Sequence, residues 1–151
     1  VHRCRHPDGL AAVPTSPVIV DVASHMSRVR RFSLWAPLIG YMVAIFFVSN
    51  LQVAPLPEEV SDKTAHLWAY AGLAILAVRA VGGGLPCRVM LRVALLAFLI
   101  AAGYGIFDEV HQLFVPGRSG DVFDWFADAS GSVVGIAACW LWGIIASRHR
   151  V

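Results

Sequence analysis

The chain has 151 residues, of which 58% are hydrophobic and 15% charged, with a formal net charge of +2. A soluble domain carries about a quarter charged residues, so a membrane protein is the expected class. No basic stripe interleaved with aromatics is present to take up nucleic acid, and Cys4, Cys87 and Cys139 have neither metal-ligand nor redox-pair spacing.

The chain opens on "VHRCRHPDGLAAVPTSPVIVDVASH", which has three prolines, no amphipathic period and no run long enough to span a bilayer. It also lacks the layout of a cleavable signal peptide. A disordered tail is expected over residues 1–31. Met26 begins "MSRVRRFSLWAPL", a natural start for an inner-membrane protein, which would make the preceding residues an upstream extension.

A membrane-crossing helix needs about 20 mostly apolar residues. Four segments meet this: Phe32 to Leu51, Lys63 to Val81, Val89 to Phe107, and Val122 to Ala146. Their apolar runs do not alternate, which favours helices over barrel strands. The "GGGLP" turn joins the second span to the third, while Pro55, Pro57 and "VPGRSG" break the chain at the other two connections. The expected organisation is an all-α integral membrane protein, with four transmembrane helices over residues 32–147 and a short tail over 148–151.

Arginine sets the orientation. Arg28, Arg30, Arg31, Arg79, Arg88, Arg92, Arg148 and Arg150 all fall at one end of the predicted spans. The positive-inside rule puts that end, and with it both termini, in the cytoplasm of a bacterial inner-membrane protein. From Met26 onward every acid falls at the opposite end: Glu58, Glu59, Asp62, Asp108, Glu109, Asp121, Asp124 and Asp128, against only Lys63 and Arg118 as bases. Trp68 and Trp125 fit an outer aromatic belt, and Trp35, Trp140 and Trp142 an inner one.

Two polar clusters lie at the acidic end. In "SDKTAHLWAY", Asp62, His66 and Tyr70 recur every four residues and share one helix face, with Ser61 placed to cap the helix. In "FDEVHQLFVPGRSGDVFDWFADASG", Asp108, His111 and Gln112 share a face if the third helix continues that far. Asp121, Asp124 and Asp128 share another. Asp128 lies furthest into the fourth span, where an unpaired acid is unfavourable. Gly131 and Gly135 supply small-residue spacing for a close helix neighbour, including a second copy of the chain. Each group also has a plain structural role. His66, Tyr70 and Gln112 can bridge helices, and Asp108, Glu109, Arg118, Asp121 and Asp124 can form an ion-pair network closing the hairpin.

"DKTAHLWAYAGLAIL" followed by "DEVHQLFVPGRSGDVFDWFADASGSVVG" resembles the VanZ-like family of small bacterial membrane proteins over roughly Leu34 to Ile145. The resemblance marks Asp62, Lys63, His66, Tyr70, Asp108, Glu109, Gln112, Arg118, Asp124 and Gly131 as characteristic positions. Asp128 stands where many members have Asn. The resemblance also implies a link to teicoplanin, the glycopeptide antibiotic that the founding member resists at low level.

The expected function is binding of a lipid headgroup, cell-envelope intermediate or glycopeptide-like ligand at the outer face. Lys63 and Arg118 would meet its anionic groups, while the acids, His66, Tyr70 and Gln112 bond to the rest. The alternative is a membrane enzyme with His66 and Asp62 or Asp124 as acid and base on a lipid-linked substrate. Transport through Asp128, His66 and Tyr70 ranks third, because the inner half of the spans has no matching polar residues. No cofactor and no metal are expected, and membrane lipids are the expected partners.

Overall fold

A computed structural model describes residues 17–51, 61–85 and 89–148, with side chains from Arg28 onward. It contains four helices: α1, Pro17–Ser49; α2, Asp62–Val81; α3, Leu91–Gln112; and α4, Val122–Arg148. No strand occurs among the described residues. All four are long and apolar enough to cross a membrane, over Arg28–Ser49, Asp62–Val81, Leu91–Gln112 and Val122–Arg148. The chain divides into two units, Val1–Arg31 and Phe32–Val151. Glu58, Glu59, Cys87, Arg88 and Arg150, and residues 1–16 of the expected tail, lie outside the described residues.

Two helix ends differ from the sequence expectation by more than two residues. The first helix begins at Pro17 and not at Phe32, so residues 17–31 are helical where a tail without regular structure was expected. Proline is favoured at a first helical position, and no further Pro or Gly interrupts the chain before Pro37. The third helix runs on to Gln112, beyond the expected end at Phe107. Its polar last turn is held by hydrogen bonds, from Gln112 to Asp108 and from the Asp121 N–H to Glu109.

Within Phe32–Val151, α2 packs most closely on α4. The reason is the absence of side chains at two positions. An added Cβ at Gly131 would fall on the Leu67 carbonyl oxygen, and one at Gly135 on the Ala71 carbonyl oxygen. Backbone therefore meets backbone over two turns, the contact that small residues permit in membrane helix pairs. Both glycines are thus taken up in a contact within one chain. The core beside this seam is built of small and medium residues, among them Leu73, Ala74, Ala77, Val78, Ala97 and Ala101.

Residues 32–49 of α1 reach the other helices through larger side chains. Pro37 has no N–H, which leaves the Ser33 carbonyl without its usual helical donor. Arg79 Nη1 donates to that oxygen at 3.0 Å and to the Leu34 carbonyl at 3.1 Å. Tyr104 donates its hydroxyl proton to the Met42 carbonyl at 2.7 Å, and Gly72 makes room for Tyr41. The outward faces carry exposed Leu91, Leu99, Phe107, Val133, Trp140 and Ile145. Such an apolar exterior around a small-residue interior suits lipid and not water.

Candidate functional site

The N-terminus of α2, the C-terminus of α3 and the N-terminus of α4 meet at one end of the bundle, where the sequence concentrates its acids. Ser61 caps α2 by accepting the Thr64 N–H on its hydroxyl. Asp121 starts α4 in the same way: its Oδ1 accepts the Phe123 N–H at 2.8 Å, and its carbonyl accepts from Asp124 and Trp125. Between α3 and α4, Pro116 and Gly117 occupy the central positions of a turn closed by Arg118 N–H to the Val115 carbonyl, 3.1 Å. Gly117 sits at φ +83°, the left-handed conformation that a type II turn requires at its third residue. This turn directs Arg118 back over the bundle.

The α2–α4 seam brings the two predicted clusters together. Lys63 Nζ donates to Asp121 Oδ2 at 2.9 Å and to Asp124 Oδ1 at 2.8 Å. One turn deeper, His66 Nδ1 lies 2.9 Å from Asp128 Oδ1, with the Asp128 side chain fully buried. The rings of His66 and Tyr70 stack with centroids 6.3 Å apart, so the expected Asp62–His66–Tyr70 stripe faces one space. On α3, Gln112 Nε2 donates to Asp108 Oδ2 at 3.3 Å. Glu109 Oε2 accepts the Asp121 N–H at 2.7 Å, tying α3 to the cap of α4. His111 does not join this group. Its Nε2 lies 3.2 Å from Asn50 Oδ1 and its ring packs on Phe46, both on the α1 side.

The space is a half-open cavity of about 260 Å³. Asp62, His66, Tyr70, Asp108 and Arg118 form its polar end, and Tyr41, Ala44, Ile45, Val48 and Ala69 its apolar wall. Three buried polar atoms on the lining residues have no hydrogen-bond partner: Tyr70 OH, Asp108 Oδ1 and Arg118 Nε. Buried polar groups are normally paired, so these three atoms are exceptions. Asp128, Glu109, Asp121, Asp124 and Lys63 do not line it. They stand behind the cavity or beside it. Sequence reasoning missed Tyr41, Ile45, Val48 and Ser49. Only Tyr41 and Ser49, polar atoms within an apolar span, carried a signal that could have found them.

Metal-ligating atoms also gather here. One atom each from Asp62, His66 and Asp124 lie within 4.8 Å of one another, and so do one each from His66, Glu109 and Asp128.

Asp121 lies just outside the spans, and its carboxyl is held below its ordinary range, first by the Lys63 hydrogen bond and then by the Phe123 N–H. A carboxyl depressed on folding adds stability above the ordinary aspartate pKa of about 3.9, and that stability is lost as pH falls through the lowered folded value. The acid limb of the stability curve should therefore become shallower in Lys63→Met. Thermal melts in detergent across pH 2 to 5 would read this, and superimposable curves for the two proteins would contradict it. The effect will be modest, because Lys63 and Asp121 are both largely open to solvent.

The VanZ/LLP1 family model matches residues 14–143. No curated protein and no solved structure matches the chain.

Proposed function

The chain belongs to the VanZ/LLP1 family of membrane proteins, and from that premise we propose that its α1–α2 cavity binds an amphiphile, a lipid or lipid-linked cell-envelope intermediate. The polar headgroup would sit at the Asp62, His66, Tyr70, Asp108 and Arg118 end. The apolar part would lie along Tyr41, Ile45, Val48 and Ala69. The proposal is carried by Arg118, Asp108 and Tyr70, three lining residues that each keep a buried polar atom, Nε, Oδ1 and OH, without a hydrogen-bond partner. Arg118 supplies a charge-assisted bond to a phosphate or carboxylate, and Asp108 accepts from a hydroxyl or ammonium. Lys63 is held by two aspartates, so Arg118 and not Lys63 is assigned the anionic group.

Binding of a polyprenyl phosphate, of phosphatidylglycerol and of teicoplanin to the purified protein would be compared by native mass spectrometry. One of them should bind saturably, one per chain. Loss of a charged hydrogen bond is worth roughly 1.5 to 3 kcal/mol, so Arg118→Ala should weaken binding by about 10- to 100-fold. Equal affinity of Arg118→Ala for the bound ligand would remove the central residue.

The side of the membrane follows from arginine, which supports an extracytoplasmic site and cytoplasmic termini in a bacterial inner membrane. Ser119→Cys should react with a membrane-impermeant thiol reagent in intact spheroplasts. Labelling only after lysis would invert the map.

A second possibility is a membrane enzyme. It is supported by His66, which lines the cavity while its Nδ1 is held by the Asp128 carboxylate, the arrangement that orients a general base. The partner is Asp128, where Asp62 or Asp124 had been the candidate. Turnover of a bound lipid by wild-type protein but not by His66→Ala would favour it over simple binding.

A further inference from the structure

Behind the cavity, on the α3–α4 side, lies a second concentration of unsatisfied chemistry, of which the headgroup proposal uses only His66. The Asp128 side chain is fully buried, and only one of its two oxygens is engaged, by His66. The other, Oδ2, has no hydrogen-bond partner and points at α3, where Gly105 leaves it room: a Cβ there would come within 2.7 Å of it. One helical turn further along α3 is Glu109. Its Oε2 is engaged by the Asp121 N–H, while its Oε1 is buried and unpaired. His66 completes the group from α2, and one ligand atom from each of the three residues lies within 4.8 Å of the others.

A hydrogen bond from one imidazole cannot satisfy two carboxylates with buried free oxygens at this depth, and an isolated buried anion is strongly unfavourable. Among the described residues no lysine or arginine is paired with either of them: Lys63 is engaged by Asp121 and Asp124. A cation placed between them would meet a ligand set of one imidazole and two carboxylates. Ligand atoms about 2.0 to 2.2 Å from a tetrahedral ion lie roughly 3.3 to 3.6 Å apart, so the three residues would draw together by as much as about 1.5 Å. We propose that His66, Glu109 and Asp128 bind one divalent first-row transition-metal ion, of the manganese or zinc type, inside the bundle. The mixed nitrogen and oxygen donors favour such an ion over calcium, which takes more oxygens. The ion would bridge α2, α3 and α4 at the level where the Lys63 pairs end. The outer triad of Asp62, His66 and Asp124 is the weaker candidate, because Asp62 is exposed and Asp124 is already engaged by Lys63.

The test uses the full chain, stripped with chelator in detergent and titrated with Mn²⁺ or Zn²⁺. Calorimetry should show one saturable site per chain. X-ray absorption of the Zn²⁺-loaded wild-type protein should show imidazole scattering with oxygen ligands. Glu109→Gln and Asp128→Asn keep the shape of each side chain and should each weaken binding at least 10-fold, whereas Asp62→Asn should leave it unchanged. Failure to saturate at millimolar metal would overturn the proposal, and so would a purely oxygen shell. Loss of binding in Asp62→Asn with retention in Glu109→Gln would move the ion to the outer triad and overturn it equally. The absorption spectrum needs no variant, so misfolding of a mutant would not leave the question open. Metal binding without lipid binding, or the reverse, separates this site from the headgroup cavity.

Discussion

Gly131→Leu and Gly135→Leu are each expected to destabilise the folded protein by about 3 kcal/mol or more, at the upper end of what overpacking costs. Most core substitutions push on a side chain that can rotate away. Here the nearest atoms to an added Cβ are the backbone carbonyls of Leu67 and Ala71. An α2 carbonyl in mid-helix cannot turn aside without breaking its own helical bond, so the two helices must separate. Separation would also pull Lys63 from Asp121 and Asp124, and His66 from Asp128, because these pairs lie along the same seam. Even alanine should be felt at either position. Gly103 and Gly40 are the internal controls, since a Cβ on either meets nothing within 4 Å. Alanine there should be neutral or stabilising by up to about 1 kcal/mol, from helix propensity alone. Equilibrium unfolding in mixed micelles, followed by circular dichroism, would rank the four alanine variants and the two leucine variants. Equal stability of Gly131→Ala and Gly103→Ala would mean that α2 and α4 do not approach as closely as described.

The second large effect is asymmetric. His66→Leu should destabilise the protein by about 3 to 5 kcal/mol, while Asp128→Asn should cost about 1 kcal/mol. The two residues share one hydrogen bond, so bond strength cannot account for the difference. What is left behind does. Removing His66 strands a fully buried carboxylate that has no other partner on either oxygen. Removing the charge of Asp128 leaves His66 on the wall of a half-open cavity, where water can reach it. Replacing both residues with leucine should recover much of the loss, because well-packed apolar groups often replace a buried pair at little cost. Unfolding titrations of the two single variants and the double variant, in chelator-treated detergent, give the coupling directly. A double variant as unstable as the sum of the two singles would mean that the residues do not act as a pair.

How far the site was legible depends on which property was being read. The shared faces of Asp62, His66 and Tyr70, and of Asp121, Asp124 and Asp128, follow from helical period and needed no tertiary information. The role of Ser61 as a cap is equally local. The extent of α3 was not legible. Asp108 and Glu109 lower the hydropathy of that window, and the bonds that hold them there, from Gln112 and from the Asp121 N–H, appear only in the folded bundle. The partner of His66 was not legible either. Asp62 lies four residues away on the same helix and Asp124 lies nearer the surface, yet the register of α2 on α4 selects Asp128. The apolar wall of the cavity gave no signal, because Ile45, Val48 and Ala69 look like any lipid-facing residues until one sees which helix they approach.

Hydropathy and charge sign are additive along a chain, so the sequence alone determined four apolar helices, an acid-rich end and an arginine-rich end. Which acid meets which base depends on how two helices rotate and slide against each other. That was decided at Gly131 and Gly135, where missing side chains let backbone touch backbone and lock the register. The same register determined which buried polar atoms found partners and which were left without one. Those leftover atoms exist only in the assembled bundle, and they carry the case for a ligand and for a metal ion.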